Sequence, residues 1–395
     1  MKRVLYLALA ALAGLSSCSK GGVFDGSYSA DSYKMDGTGM AGGGQFRPGG
    51  EAGVLTAGEW NDLSHWGFWS SLMTGQDYGD ASAYWCVYTA RRVAVRVADG
   101  DGKRLPAVPV SLEQNQKTIW SAMTDNLGEA ELWVDPYAQD ASTEGLTLVV
   151  NGIRQASAPK VTPWNVQQDE ADVNFIQIGK APTPEKKADL AFIVDATGSM
   201  GDEIDFLKED LLDILDRVKS GLGETELRTG TVFYRDKGDD YVTRHSDFTS
   251  DYKRTVSYIR QQQAGGGGDL PEAVHTALEA GLQDLGWNAK ARARVAFLIL
   301  DAPAHQNQQG VVESLQKSIK AYAALGIKLI PVYCSGPSKE CEFMCRFFAI
   351  LTGGTYVFLT DDSGVGESHV EASVGEFQVE ALNDLLVRLI AKYIE

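Results

Sequence analysis

The stretch Ala-Asp-Leu-Ala-Phe-Ile-Val-Asp-Ala-Thr-Gly-Ser at residues 188–199 decides the fold. Its apolar run ends in Asp195, and apolar residues then recur at helical spacing over residues 204–218. This pattern predicts a buried strand, a tight turn and an amphipathic helix. We expect Asp195, Thr197 and Ser199 at the carboxyl end of the strand, where open α/β sheets bind their ligands. A carboxylate and two hydroxyls are hard oxygen donors that suit Mg²⁺ or Ca²⁺.

Helix capping is a simpler explanation of the same turn. Ser199 and Asp202 have the spacing of a capping box, in which the serine satisfies free backbone N–H groups and binds nothing else. Because capping and metal binding use the same residue types, this turn alone does not decide between them.

Two further stretches favour a metal site. A glycine run with Asp269 and Pro271 opens a second helix at residues 265–273, and glycines let a backbone approach a bound group closely. Asp269 is equally compatible with an ordinary helix N-cap ahead of Pro271. The apolar run at residues 295–300 ends in Asp301, so a second predicted strand also ends in a carboxylate. Capping does not readily explain both strand ends.

These residues together resemble the von Willebrand factor type A domain, which is also the inserted domain of integrins. The metal-ion-dependent adhesion site of that family combines a D-x-S-x-S turn, a hydroxyl from a glycine-rich loop and a distal Asp. Asp195, Thr197 and Ser199 look like the turn, and Asp301 looks like the distal Asp. Asp269 stands where the family usually has Thr. The resemblance covers about residues 186–395 and implies Mg²⁺, or Ca²⁺ or Mn²⁺, as cofactor.

Asp269 in place of Thr adds a negative charge near the expected ion. A metal ion that the protein neutralises more fully attracts an acidic partner less strongly. We therefore expect tight metal binding and a partner that need not be acidic.

The start of the chain predicts export and lipid anchoring. Lys2 and Arg3 precede an apolar run that ends at Leu15 and is too short to span a bilayer, which is typical of a signal peptide at residues 1–17. Cys18 follows Leu-Ser-Ser and resembles the lipidated cysteine of bacterial lipoproteins. That resemblance, with Ser19 next, implies a cell-envelope protein held by a lipid anchor in the outer membrane of a two-membrane bacterium.

Residues 18–50 are rich in Gly and Ser with few large aliphatic residues, and we expect a flexible tether there. Residues 51–85 carry four tryptophans. They suit either a recognition surface for a carbohydrate or protein partner, or a segment that docks on its neighbour, and docking is favoured because clustered large apolar residues are usually internal.

Residues 86–179 predict a small all-β sandwich domain. Short alternating strands include residues 93–97 and 108–112, with Asp-Gly-Asp-Gly at residues 99–102 as a turn between them. Thr-Asp-Asn-Leu-Gly-Glu-Ala at residues 124–130 resembles a turn of carboxypeptidase-regulatory-like and collagen-adhesin B-type repeats. These are spacer or display modules, so we assign this region no chemistry.

After a proline-containing linker at residues 180–187, strands alternate with helices through residues 188–395. The predicted elements include helices at 252–262 and 311–324, strands at 328–333 and 355–359, and a final amphipathic helix through Val379 and Leu382. Such alternation predicts a doubly wound, mostly parallel α/β sheet, Rossmann-like in its layers.

The remaining polar features are less decisive. The charged run at residues 234–240 follows a strand at the same edge as Asp195; it either frames the ligand face or is a solvated loop, and the second is favoured. In an oxidising compartment, Cys334 is suited to a disulfide with Cys341 or Cys345.

Composition and motifs limit the function classes. A formal net charge of −17 argues against nucleic acid as a partner. The absence of a G-x-S-x-G elbow and of a P-loop disfavours an enzyme. We expect a surface-tethered binding module whose metal face engages a protein or glycan partner. The alternative is a structural envelope component in which the metal only stabilises the domain.

Overall fold

The strand that ends at Asp195 lies inside an eight-stranded sheet. A computed structural model describes residues 55–164, 172–179, 181–268, 270–334, 338–360 and 372–394. From Ala188 to Asp195 every residue of this strand is buried, as expected for a strand covered on both faces. Cys18 and Asp269 lie outside the described residues.

The described residues form the following elements. The strands are β1 (Thr56–Trp60), β2 (Arg92–Ala98), β3 (Pro109–Gln114), β4 (Lys117–Met123), β5 (Glu129–Trp133), β6 (Leu146–Val150), β7 (Ile153–Arg154), β8 (Asn174–Gln177), β9 (Glu185–Asp195), β10 (Glu226–Tyr234), β11 (Thr243–Thr249), β12 (Ala291–Leu300), β13 (Ile327–Tyr333), β14 (Tyr356–Thr360) and β15 (Glu380–Ala381). The α-helices are α1 (Trp66–Leu72), α2 (Gln76–Trp85), α3 (Gly201–Gly221), α4 (Tyr252–Ile259), α5 (Val274–Gln283), α6 (Val311–Ala324), α7 (Lys339–Thr352) and α8 (Leu382–Ile394).

The strand order in the large sheet is β11-β10-β9-β12-β13-β14-β1-β15. The five central strands from β10 to β14 in this order run parallel, whereas β11 and β1 pair antiparallel with their neighbours. The chain moves outward from β9 to β10 on one side and returns to β12 on the other. The carboxyl ends of β9 and β12 therefore flank the point where the strand order reverses, which is the usual ligand crevice of such sheets.

Helices cover both faces of the sheet. One apolar core contains side chains of α3, α4 and α8, and a second contains side chains of α5, α6 and α7. Two helical layers around a mixed, largely parallel sheet are the architecture of an α/β fold, as the alternation of elements predicts.

The segment that precedes the small strands packs onto this α/β unit. β1 lies between β14 and β15. Trp66, Trp69 and Trp85 are at most 1% exposed, and Trp69 stacks on Phe343 of α7. These tryptophans are therefore internal and present no recognition surface.

Residues 92–177 contribute two small sheets, with strand orders β5-β2-β8 and β4-β3-β6-β7. Apolar side chains of both sheets belong to the core that also contains α5, α6 and α7. These sheets therefore share a continuous apolar interior with one face of the α/β unit.

Two predicted helices have different bounds. α4 ends at Ile259, and the side chain of Gln262 donates to the carbonyl of Tyr258 in its last turn. The last helix begins at Leu382, because the two residues before it pair with β1 as β15. Val379 thus lies outside the helix and is exposed.

The predicted disulfide is wrong. Cys334, Cys341 and Cys345 are all free thiols. Cys334 belongs to the core on one face of the sheet, whereas the two cysteines of α7 belong to the core on the other face. The sheet separates the thiols that the sequence brings close.

Candidate functional site

Two aspartates meet at the carboxyl ends of the central strands. Asp195 is the last residue of β9 and is fully buried. Val194 of β9 lies opposite Ile299 of β12, so Asp301 follows its strand one step beyond the level of Asp195. Asp301 is 8% exposed. The register therefore brings both carboxylates to one edge of the sheet, as the sequence predicts.

The turn after β9 holds one oxygen of Asp195. The backbone N–H of Thr197 donates to Asp195 Oδ1 at 2.9 Å, and the Thr197 hydroxyl donates to the same oxygen at 2.7 Å. Asp195 Oδ2 is buried and makes no hydrogen bond of ordinary geometry with the described residues, although the Tyr234 hydroxyl lies close enough to lower the pKa of this carboxyl. A buried carboxylate oxygen without a partner is costly, because it has lost its hydration and gained nothing in return.

Ser199 does not cap a helix. It lies in a 3₁₀ turn, Gly198–Met200, and is exposed. Neither this turn nor α3 has a side-chain cap at its N-terminus. The capping explanation of the Ser199–Asp202 spacing therefore does not hold, and the hydroxyl stands at the rim of the crevice.

The glycine loop is attached to this turn by two backbone hydrogen bonds. Gly265 N–H donates to the Ala196 carbonyl at 3.0 Å, and Gly198 N–H donates to the Gly266 carbonyl at 3.2 Å. Gly267 fits between Thr197 and Glu272, and its φ of +70° is readily adopted only by glycine. Asp269 lies outside the described residues, and α5 begins at Val274 with Ala273 as its N-cap.

The loop also contacts the segment that follows Asp301. Glu272 N–H donates to the carbonyl of Pro303 at 2.9 Å, and Glu272 forms an isolated bridge with Ala304. The turn after β9, the glycine loop and the segment after β12 are therefore three connected walls of one crevice.

The charged run at residues 234–240 is more than a solvated loop. Asp239 accepts hydrogen bonds from Gly267 N–H at 3.0 and 3.2 Å, and a Cβ on Gly266 would collide with its carboxylate. Asp236 pairs with His305 Nε2 at 2.7 Å. The favoured solvated-loop interpretation is therefore wrong for these two aspartates, although Lys237 and Asp240 are exposed.

Glu272 is a site residue that sequence reasoning missed. Its side chain is 2% exposed, borders Gly267 and has an Oε2 atom without a hydrogen-bond partner among the described residues. The sequence signal was an acidic residue directly after Pro271 at the end of the glycine run. It was passed over because Asp269 occupies the position that matches the family pattern.

Burial and mutual repulsion disturb the ionisation of these acids. Burial, and then the neighbouring Asp301 carboxylate, raise the pKa of Asp195 to about 7, which the hydrogen bonds from Thr197 only partly oppose. Burial raises the pKa of Glu272 to about 9, with further contributions from Asp195, Asp236, Asp301 and Asp239. The crevice thus brings together acids whose charged forms are disfavoured by burial and by one another.

The donor set suits a hard divalent cation. It combines buried carboxylate oxygens, one of them without a partner, with the hydroxyls of Thr197 and Ser199. Within the described ranges, no three His, Cys, Asp or Glu side chains are grouped so that they could hold a metal by themselves. A site here therefore depends on hydroxyl ligands as well as carboxylates.

No helix in the described parts of the chain is long and apolar enough to cross a membrane.

Comparison with known proteins identifies the central part of the chain. A family described as "von Willebrand factor A domain" matches residues 189–325. A putative ariadne-like RING finger protein of Acanthamoeba polyphaga mimivirus is 34% identical over 117 residues, covering 30% of this chain and 11% of that protein. The alpha-protein kinase vwkA of Dictyostelium discoideum is 33% identical over 155 residues, covering 38% of this chain and 23% of that protein. The chain thus spans less than a quarter of either relative.

Solved structures give weaker likenesses. A von Willebrand factor type A protein from Catenulispora acidiphila has a TM-score of 0.36 at 12% identity, over 78% of this chain and 51% of that one. The pilus adhesin SpaC from Lactobacillus rhamnosus GG, in an open conformation, has a TM-score of 0.37 at 12% identity, over 55% of this chain and 31% of that one. Similarity at this level carries no functional argument.

Proposed function

From the premise that residues 189–325 form a von Willebrand factor A domain, we propose that the protein is an extracytoplasmic binding protein with a metal-dependent adhesion face. Asp195, Thr197, Ser199 and Asp301 would hold a divalent cation, with Asp269 as a further ligand. Mg²⁺ is the favoured ion, and Ca²⁺ or Mn²⁺ fits the same hard oxygen donors. The partner is a protein or a glycan.

The observation that carries this proposal is the condition of Asp195. Its Oδ2 atom is buried without a partner, while Asp301 repels it from the adjacent strand. A bound cation would satisfy the free oxygen and offset the repulsion between the two acids. When bound, the ion supplies a fixed positive centre to which an oxygen atom of the partner can bind.

The protein's own residues set the character of this face. Thr197 holds Asp195 Oδ1 through two hydrogen bonds, which leaves Oδ2 available to a cation. Glu272 brings one more carboxylate to the same crevice. With Asp269 as a ligand beside Asp195 and Asp301, a bound ion would be more fully neutralised, which weakens its attraction for an acidic partner.

The anchoring part of the proposal concerns the N-terminal segment. Lipidation of Cys18 would tether the mature chain to the cell envelope, in the outer membrane of a two-membrane bacterium, with residues 18–50 providing reach. Residues 86–179 would be carried as part of the same folded unit, because their sheets share a core with the α/β unit. Metabolic labelling with fatty acid tests the anchor: label on the wild type and none on Cys18→Ser is expected, and an unlabelled wild type would exclude it.

Metal binding and adhesion are tested together by thermal melting and pull-down. Wild type, Asp195→Ala and the exposed control Asp80→Ala are melted with increasing Mg²⁺, then used to capture partners in Mg²⁺ or in chelator. A hundredfold excess of ion over Kd stabilises a folded protein by about 2.7 kcal/mol. We expect this stabilisation, and Mg²⁺-dependent capture, in wild type and Asp80→Ala but not in Asp195→Ala. A wild-type melting temperature that neither Mg²⁺ nor Ca²⁺ changes would refute the proposal.

A structural role is the second candidate, and the number of acids in the crevice favours it. If the ion is already neutralised by protein carboxylates, it can stabilise the fold without binding a partner. The same experiment separates the two functions: Mg²⁺ stabilises the wild type in both cases, but only adhesion predicts that captured partners are lost in chelator while the chain stays folded.

A further inference from the structure

A small polar cavity opens beside the crevice at the same edge of the sheet. It has a volume of about 150 Å³ and is lined by Arg235, Asp240, Tyr241, Arg244 and residues 261–263. Arg235 directly follows β10, whose last residue lies opposite Asp195 in the sheet. The cavity is therefore next to the proposed metal site. Unlike that site, it is lined by two guanidinium groups and a single carboxylate.

Arg235 is a fixed wall of this cavity. It is 8% exposed, and its Nε donates to the Ala196 carbonyl at 3.0 Å while Nη2 donates to the Gln263 carbonyl at 2.7 Å. Because Ala196 lies between Asp195 and Thr197, the guanidinium is attached directly to the turn that forms the crevice. Its charge is held in place by the fold.

Arg244 lines the cavity on the side that is open to solvent. Its guanidinium carbon lies 3.8 Å from the centre of the Tyr241 ring, and that of Arg235 lies 4.7 Å from the same ring. Two like charges are thus gathered around one aromatic ring. Arg244 is exposed and forms no ion pair or hydrogen bond through its side chain with any described residue. In a chain with a net charge of −17, an arginine without an acidic partner beside a second arginine is unexpected.

The geometry points to a pocket in which Arg244 and Arg235 bind a carboxylate side chain of a protein partner. This inference rests on the proposed function and names the chemistry of its partner. The planar guanidinium fork matches a carboxylate, and the cavity has room for one acidic side chain. On this face the acid-rich crevice holds the cation, and the arginines beside it bind the acidic side chain of the partner.

Asp240 competes with an external carboxylate for the two arginines. It is the one carboxylate among the described lining residues, its side chain is 86% exposed, and its Oδ2 lies 3.8 Å from Arg235 Nη1. This distance is too long for a hydrogen bond and the aspartate is free to move into solvent. Removal of Asp240 should therefore improve binding of an external carboxylate.

The test is saturation-transfer NMR on the mature chain with acetate as the probe, acetamide as its neutral analogue and methyl sulfate as a second anion, all in chelator. Wild type is compared with Arg244→Gln, Arg244→Lys, Asp240→Asn and the exposed control Arg104→Gln, which changes the charge equally at a distant site. Circular dichroism confirms that each variant is folded.

We expect acetate to receive more saturation than acetamide or methyl sulfate in wild type and in Arg104→Gln. Loss of a charged hydrogen-bond pair corresponds to about tenfold weaker binding in Arg244→Gln. Arg244→Lys should fall between the two, and Asp240→Asn should bind more tightly than wild type. Equal signals for acetate and acetamide, preference for methyl sulfate, or an Arg244→Gln variant that equals wild type would overturn the inference.

The chelator keeps this result separate from the proposed function. Metal binding is measured in parallel by melting with Mg²⁺, where Arg244→Gln should respond as wild type does. Loss of Mg²⁺ stabilisation with intact acetate binding would refute the metal site alone, whereas the reverse would refute the arginine pocket alone.

Discussion

The buried carboxylate of Asp195 destabilises the metal-free fold and favours binding of a cation. Without a cation, its buried Oδ2 atom makes no hydrogen bond of ordinary geometry with the described residues, and Asp301 adds repulsion. Such a group lowers the stability of the metal-free protein and raises its affinity for a cation. Sites that bind ions often retain this kind of local cost, because it is relieved only when the ligand is present.

The first prediction concerns Asp195→Asn without metal. The amide keeps the size of the side chain but removes the negative charge, so metal-free unfolding by urea should require the same or a higher denaturant concentration than in wild type. Added Mg²⁺ should stabilise wild type and leave the variant unchanged. A variant that is markedly less stable than wild type in chelator would show that the Asp195 charge supports the fold itself.

Asp239 is the second residue with a defined task. Both of its carboxylate oxygens accept a bifurcated hydrogen bond from Gly267 N–H, which fixes the loop that carries Glu272 toward the crevice. We predict that Asp239→Ala weakens Mg²⁺ binding about tenfold, since loss of a charged hydrogen-bond acceptor costs about 1.5–3 kcal/mol. Isothermal titration with Mg²⁺ measures this, with Asp80→Ala as the control. Equal Mg²⁺ affinities of wild type, Asp239→Ala and Asp80→Ala would show that Asp239 does not contribute to the site.

At this scale the sequence predicted the residues that follow strands and missed those placed by loops. Asp195 and Asp301 could be found because a buried apolar run ends at each of them. Asp239 and Glu272 reach the crevice only through the path of the charged run and of the glycine loop, and one sequence contains no periodicity that defines such a path. The acids placed by loops therefore required the structure.

Among the elements, α7 is joined to the start of the described chain by a buried ion pair. Arg346 is fully buried, and its Nε donates to Asp62 Oδ2 at 2.9 Å. The same guanidinium donates to the Tyr78 hydroxyl at 2.8 Å. These contacts fix residues 62–78 against the helix that follows β13.

Breaking this pair should be costly. Asp62→Ala leaves the buried Arg346 with only its longer contact to Glu342, at 3.4 Å, and we predict a loss of about 3–5 kcal/mol in the free energy of unfolding. The exposed pair between Arg217 and Asp384, at 2.7 Å, offers the matched control, because Asp384→Ala should cost less than about 1 kcal/mol. Urea titration of both variants checks the difference, and similar values for the two would contradict it.

The edge strands were the elements least accessible from sequence. β11 (Thr243–Thr249) has no fully buried residue, so it lacks the apolar run that reveals a central strand. β1 (Thr56–Trp60) lies far along the chain from β14, and only tertiary packing shows that it joins that sheet. The central strands and most helices were predictable, since burial on one or both faces leaves a periodic apolar pattern.

At the scale of the whole molecule, the α/β unit is not closed by residues after the linker. β1 supplies a strand between β14 and β15, and four N-terminal tryptophans pack into the shared core. The region that resembles the family, residues 186–395, therefore lacks part of its own sheet when it is separated from the segment before it.

We accordingly predict that a fragment of residues 186–395 is unstable, whereas residues 51–395 unfold cooperatively as one unit. The shorter fragment would expose the free edge of β14 and the apolar face that the tryptophans cover, both of which promote aggregation. Analytical ultracentrifugation and thermal melting distinguish the two. A monomeric short fragment with the melting temperature of the longer one would show that β1 is dispensable.

The most direct test of the account is anomalous scattering from crystals of the mature chain soaked in Mn²⁺. We predict one strong peak at the carboxyl ends of β9 and β12, within coordination distance of Asp195 Oδ2 and of an oxygen from Asp301 or from a hydroxyl of the turn. Density that shows no ion there, with the two carboxylates turned away from each other, would contradict the central claim.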